Sequence, residues 1–223
     1  MRAGKRIKKL VGDLWLKTFG WKVEGGAPDT RKAIVIAAPH TSNWDFPFTM
    51  AIAWSLGLDI AWLGKHTLFK PPFGTIMRSW GGIPVDRRGA HNLVTQVANK
   101  IKESDDLLVI VSPEGTRGST GRWKTGFYHM AVEAEVPVIL GFLDFKRKVG
   151  GLGTLFHPTG DLLADAEPIR VFYSKVTGKR PEMYTEVRFA EEDEANKKKI
   201  ARPSPKESQQ DASNDSPVMS LGT

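Results

Sequence analysis

Hydrophobic positions recur along the chain with two different periods, and the change from one to the other outlines its elements. Over residues 5–19, Ile7, Leu10, Val11, Leu14, Trp15 and Thr18 share one helical face, with Arg2, Arg6, Lys9, Asp13 and Lys17 opposite, and Gly20 can end the helix. Lys32–Ala38 is an apolar, partly β-branched run between polar residues and reads as a buried strand. It stops at Pro39-His40. Thr41-Ser42-Asn43, short side chains of the kind that cap helices, then lead into an apolar segment beginning Asp45-Phe46. Leu58–Leu63 reads as a strand, Pro71–Trp80 as a short helix opened by prolines, and Gly82–Val85 as a brief strand. Leu93, Val94, Val97, Ala98 and Ile101 return to helical spacing ahead of a strand at Leu107–Val111, which makes a β-α-β unit.

Phe127, Tyr128, Ala131 and Val132 mark another helix and Val136–Phe142 another buried strand. Lys146–Gly153 reads as a turn between two strands, and Asp161 to about Thr177 as a closing helix with Pro168 in a first turn. Alternating helices and short apolar strands predict an α/β fold: one domain, its central, mostly parallel (mixed) sheet flanked by helices. An N-terminal amphipathic helix (1–22) precedes the domain (23–190), and residues 191–223, polar with few apolar anchors, predict a disordered C-terminal tail.

Composition narrows the classes. With 223 residues, 40% of them hydrophobic, the chain can bury a substantial core, and collagen, coiled-coil and wholly disordered classes are excluded. The absence of cysteine removes disulfides, thiolate metal sites and a cysteine nucleophile, and makes a cytosolic setting natural. Five scattered histidines suggest no metal-ligand pair, so no metal is expected. The formal charge of +7 is concentrated at the front, where Arg2, Lys5, Arg6, Lys8, Lys9, Lys17 and Lys22 face one acid, Asp13. A basic amphipathic helix edged by tryptophan suits a membrane interface, and equally a surface helix packed on the core. Phe46–Leu63 is the longest nearly uncharged window, but Gly57 and Asp59 divide it into a helix and a strand better than they suit a membrane span.

Three turns carry candidate chemistry. His40 and Asp45 stand five residues apart across a strand-to-helix turn, where a carboxylate can orient an imidazole as a general base. The plainer reading is a capping Asp beside an incidental histidine. Ser112-Pro113-Glu114-Gly115-Thr116-Arg117 follows the strand Leu107–Val111, at the end of an α/β sheet where ligands bind, and Arg117 and Thr116 suit a phosphate; a surface turn is the alternative. Gly81–Arg88 ends another strand with Arg87 and Arg88, and Lys65 follows the strand ending at Leu63; such cations also commonly face solvent. Ala53–Gly57 lacks the first glycine of a serine nucleophile elbow, and Gly64-Lys65 lacks the upstream glycine of a phosphate loop.

Taken in order, these blocks resemble the glycerolipid acyltransferase family, which includes the 1-acylglycerol-3-phosphate and other lysophospholipid acyltransferases, in a short bacterial-type form. His40 and Asp45 match its H-x4-D block, Gly82–Arg87 its arginine-bearing block, Glu114–Arg117 its E-G-T-R block, and Val136–Ile139 its hydrophobic-proline block. The matches span residues 39–140, with weaker similarity from Gly20-Trp21-Lys22 to Pro158–Asp161.

The resemblance implies an enzyme of phospholipid biosynthesis that moves a fatty acyl chain from acyl-CoA or acyl-carrier protein, as substrate, to a lysophospholipid hydroxyl, with no acyl-enzyme and no cofactor. His40 is then the base and Asp45 its partner. Arg87, Glu114 and Arg117 hold the polar head of the acceptor, with Lys65, Arg88, Gly115 and Thr116 beside them, and Pro137 and Val138 lie toward the acyl donor. The family's longer members carry hydrophobic N-terminal segments that the basic helix replaces here, which implies peripheral attachment of residues 1–22 to an anionic membrane at the inner face of the cell membrane. A non-catalytic lipid-binding protein is the alternative function. A nucleic-acid partner draws only on net charge, with no reading motif, and is not expected.

Overall fold

The apolar run at Lys32–Ala38 forms strand β2, near the centre of the sheet in the computed structural model, which describes residues 3–85, 90–115 and 121–193. The element order is α1 (Ala3–Phe19), β1 (Lys22–Glu24), β2, α2 (Asp45–Ser55), β3 (Ile60–Lys65), a 3-10 turn (His66–Phe69), α3 (Gly74–Ser79), β4 (Gly82–Val85) and α4 (Ala90–Glu103). It continues with β5 (Leu107–Val111), α5 (Gly126–Ala134), β6 (Val138–Asp144), β7 (Val149–Phe156), α6 (Leu162–Tyr173) and a 3-10 turn (Pro181–Met183). The described strands form a 7-stranded sheet in the order β1-β7-β6-β2-β5-β3-β4, parallel at every pairing except β6–β7. The α/β fold with a mixed, mostly parallel sheet is thus the one the hydrophobic periods predict.

Strand alternation divides the core into two layers. Ile34, Ile36 and Ala38 face α4, α5 and α6, where Ile101, Phe127, Tyr128, Ile169 and Tyr173 fill one core. Ala33 and Val35 face Met50 and Ala53 of α2 on the other side. Because β2, β3, β5 and β6 run parallel, their carboxyl ends share one edge, and the loops after β2, β3 and β5 emerge there.

Several local expectations change. Lys146–Gly153 is mostly strand: the turn closes by Lys148 (φ +52) and β7 starts at Val149. Its glycines hide the strand in sequence but fit the packing, since a Cβ at Gly151 would stand 1.8 Å from the Glu24 carbonyl oxygen of β1. β1 itself has no apolar run and exists because β7 pairs with it. Pro168 lies inside α6 rather than in a first turn. Asp161 Oδ1 accepts from the Leu163 and Ala164 N–H groups and starts the helix there, so the proline falls where it forfeits one interior hydrogen bond. Of the expected tail, residues 191–193 continue a helical turn, with Glu192 bonded to Arg170 and Asp193 paired to Arg122 and Arg188; residues 194–223 lie outside the described residues.

α1 packs on α2 through Gly12, Trp15 and Leu16, with lysines of its polar side beside them. Gly12 and Leu16 are buried there, Lys9 reaches both Asp13 and the Ser55 carbonyl, and Lys5 and Lys8 pair with Asp59. Ile7, Leu10, Val11 and Leu14 face outward, Leu10 with 69% of its surface exposed. No described helix is long and apolar enough to cross a membrane.

The seating of α1 depends on backbone approach. A Cβ on Gly12 would lie 2.6 Å from the Ala51 carbonyl oxygen. Gly12→Ala therefore lowers unfolding free energy by about 1–3 kcal/mol in chemical denaturation despite alanine's better helix propensity; an unchanged or raised midpoint would show that the contact does not constrain the fold.

Candidate active site

His40 follows a cis Ala38–Pro39 bond at the end of β2, and Asp45 is the first residue of α2. His40 Nδ1 lies 3.1 Å from Asp45 Oδ2. The same oxygen accepts the backbone N–H groups of Thr41 (2.8 Å) and Ser42 (2.9 Å), while Oδ1 accepts the Ser42 hydroxyl at 3.0 Å. The short polar residues expected to cap α2 serve this carboxylate instead. The capping position falls on Trp44, which makes no side-chain cap, and its N–H is taken by Ser42 Oγ. A buried carboxylate surrounded by donors at the positive end of a helix is held in one orientation, and the imidazole is held with it. His40 Nε2 takes part in no described hydrogen bond.

Glu114 lies beneath this turn. It is buried, and its Oε2 accepts the His40 backbone N–H at 2.6 Å, whereas Oε1 has no hydrogen-bond partner. It therefore ties the end of β5 to the end of β2 rather than standing in the open. Burial pushes its pKa from 4.5 up to about 7; the His40 N–H draws it down, and the nearby Asp45 charge raises it further. Thr41, also buried, accepts the Arg180 N–H at 3.1 Å, so the segment after α6 backs the turn.

The dyad opens on a cavity of about 1260 Å³, larger than the roughly 300–1,000 Å³ of ordinary small-molecule sites. Its walls are mainly apolar, with Phe46, Met50, Trp62, Leu108 and Leu152 running from the His40 turn between α2 and the sheet. Lys65 lies at the exposed end of β3 and lines the same cavity, as do Gly115 and Ser112 after β5. Gly115 adopts φ +69, and a Cβ there would press on the Lys124 side chain at 3.0 Å. Lys124 also lines the cavity. By type Lys124 gives no signal in the sequence, and Thr41, Ser42 and Ser112 signal only a cap and a turn; what marks them for the site is position beside two of the motifs. Arg87, Arg88, Thr116 and Arg117 lie outside the described residues.

Pro137 and Val138 do not join the cluster. The Pro137 carbonyl accepts the Ile34 N–H, and Val138, fully buried, pairs with Ile34 near the start of β2, four residues before its end at Ala38. That is about 13 Å of strand away from the dyad's end of the sheet. Among the described residues, no group of three or more histidines and carboxylates could hold a metal ion.

A carboxylate-held imidazole lining a large, mainly apolar cavity, where the parallel strands of the sheet end, makes this an α/β domain with a His–Asp pair at the edge where such sheets place their ligand sites. The family model described as Acyltransferase matches residues 22–139, over half of the sequence, and the chain belongs to that family. A 1-acyl-sn-glycerol-3-phosphate acyltransferase of Haemophilus influenzae is 36% identical over 132 residues, covering 54% of this chain and 53% of that protein. The Escherichia coli protein of the same name is 31% identical over 131 residues, covering 54% and 52%. The chain spans about half the length of these curated relatives. The crystal structure of a 1-acyl-sn-glycerophosphate acyltransferase from Thermotoga maritima shares the fold, with a TM-score of 0.56 at 20% identity over 90% of this chain and 81% of that one.

The raised pKa of Glu114 has a consequence for stability. Below about pH 4.5 its carboxyl is protonated folded and unfolded alike; between 4.5 and about 7 the unfolded chain ionises first, so this contribution is lost as pH rises through the window and stays lost above it. The loss is about 3 kcal/mol. Glu114→Gln keeps an acceptor for His40 and removes the titration, so denaturant melts should show the variant gaining on the wild type by about that amount between pH 4.5 and 8. A difference that does not vary with pH would rule Glu114 out as the titrating group.

Proposed function

We propose that the protein transfers a fatty acyl chain from a thioester, acyl-CoA or acyl-carrier protein, to the hydroxyl of a lysophospholipid such as 1-acylglycerol-3-phosphate. The observation that carries this reading is the 3.1 Å contact between His40 Nδ1 and Asp45 Oδ2 in the lining of the apolar cavity. A contact through Nδ1 leaves Nε2 for a substrate proton. The identities to proteins of that name support the choice of substrate class.

In the proposed reaction the acceptor hydroxyl gives its proton to His40 Nε2 as its oxygen bonds to the thioester carbonyl carbon. The tetrahedral adduct collapses, the carbon–sulfur bond breaks, and the departing thiolate takes the proton back from the imidazolium. Asp45 holds the ring in the tautomer with Nδ1–H and stabilises the charged ring in between. Glu114 acts through position: by holding the His40 main chain it fixes where the imidazole stands relative to the carbonyl.

Lys65, Arg87, Arg88 and Arg117 offer charge to the acceptor phosphate, with Thr116 as a further donor and Gly115 allowing close approach. The apolar walls take the fatty chains, and removing that surface from water contributes about 0.8 kcal/mol per methylene. The outward apolar stripe of α1, between Arg6 and Lys17, supports peripheral attachment of residues 1–22 to an anionic bilayer in which such lipids reside.

The experiment is turnover of labelled acyl thioesters by purified protein on a lysolipid panel, with products identified by mass. His40→Ala should lower kcat by about 10²–10⁴-fold with an unchanged melting transition, and Asp45→Asn should act on kcat in the same direction. Acyl transfer retained by His40→Ala would remove the dyad from the mechanism, and lipid binding without thioester consumption by the wild type would favour a non-catalytic lipid-binding protein.

A further inference from the structure

The stretch from Lys65 to Ser79 borders the cavity through Lys65, Thr67, Leu68 and Met77 and presents apolar side chains to solvent. Leu68, Phe73 and Ile76 are exposed, Phe73 at 64%. They are interspersed with Lys65, His66, Lys70 and Arg78, and no acidic residue occurs anywhere between Ile60 and Val85. The segment is anchored from below by Phe69, which is buried and stacks on Trp62 at 5.7 Å, and by Trp80, whose ring meets Trp54 and Phe46 of α2. Those anchors place α3 and the preceding 3-10 turn on the sheet face that carries α2, the helix on which α1 also sits.

One side of the molecule therefore has a three-part outer layer, with α2 between α1 and α3. Both flanks carry exposed large apolar side chains amid basic groups: Ile7, Leu10, Val11 and Leu14 on one, Leu68, Phe73 and Ile76 on the other. A monomer rarely leaves two such sets on one side unpartnered. The first set leads along α1 to Phe19 and Trp44, whose rings lie 6.0 Å apart beside the dyad. The second reaches the cavity through Leu68 and Met77.

We propose that residues 65–79 form a second lipid-contacting surface, inserting Phe73, Leu68 and Ile76 into the headgroup boundary of an anionic bilayer while Lys70 and Arg78 meet its phosphates. The inference rests on the membrane-surface reading given above. It adds that attachment is two-sided: α1 packs against α2, a wall of the cavity, and the 65–79 stretch supplies Lys65, Thr67, Leu68 and Met77 to the lining, so contact at both places would bring the cavity against the lipid and let an acceptor enter without leaving the bilayer boundary. Apolar side chains on both flanks of one face favour a bilayer over an acidic protein, for which a basic patch on one flank would be enough.

The test is cosedimentation of the full chain with phosphatidylcholine vesicles, with and without phosphatidylglycerol, in rising salt. Phe73→Ser and Ile76→Ser each should lower partitioning onto the anionic vesicles severalfold, about tenfold for the phenylalanine. Lys70→Gln with Arg78→Gln should weaken binding to anionic vesicles only and flatten its salt dependence. Leu10→Ser serves as the α1 reference, and turnover of a water-soluble short-chain acceptor should survive in all of these variants, which separates this surface from the chemistry. Wild-type partitioning by Phe73→Ser and Ile76→Ser while Leu10→Ser detaches would overturn the second contact and leave the acyl-transfer reading standing. Vesicle binding unchanged in the variants but binding of purified acyl-carrier protein lost would overturn it in favour of an acidic protein partner.

Discussion

Much of the site depends on one buried carboxylate. Asp45 takes two backbone N–H groups, one hydroxyl and one imidazole nitrogen, all from the six residues His40–Asp45. In a low-dielectric setting such a cluster has one good arrangement and few near rivals, because each donor that turns away leaves an acceptor buried and unmet. The turn is thus folded around its carboxylate, and the imidazole belongs to the turn's own hydrogen bonding. Position at the edge of the sheet follows from the elements on either side: β2 delivers His40, and α2 begins where Asp45 is needed.

Two layers of packing hold that geometry from below. On one side Ile34, Ile36 and Ala38 lock β2 to α4, α5 and α6, and on the other Val35 meets α2 itself. The histidine is carried by the strand and its partner by the helix, so the distance between them is set by how α2 rests on the sheet. α1 presses on the outer side of α2 through Gly12 and Leu16, which makes the N-terminal helix part of the support for the dyad. Ile7, Leu10, Val11 and Leu14 stay outside, while the inward side combines Trp15 and Leu16, packed with Phe48 of α2, with lysines that reach Asp59, Asp13 and the Ser55 carbonyl.

Elements with an unbroken apolar period were legible in the sequence: β2, β5, β6, α4 and α5 lie close to where Lys32–Ala38, Leu107–Val111 and the Leu93–Ile101 and Phe127–Val132 spacings put them. β1 and β7 were not, because Lys22–Glu24 has no apolar signature and Gly150, Gly151 and Gly153 read as a turn until the neighbours that require them are in place. Within the site, His40 and Asp45 could be found from spacing alone, while the position of Glu114 beneath the turn could not. Its partner is a backbone N–H 74 positions earlier, a contact that exists only after β5 has paired with β2. Pro137 and Val138 show the opposite case: a motif visible in sequence that the sheet register carries away from the cluster.

The Glu114 link joins two stretches of chain that parallel pairing places side by side. A His-x4-Asp turn copied onto another α/β scaffold would bring its own carboxylate with it, but not the acid on the adjoining strand that clasps the histidine's main chain. Engineers transplanting this chemistry therefore have to move a pair of neighbouring strand ends as one unit.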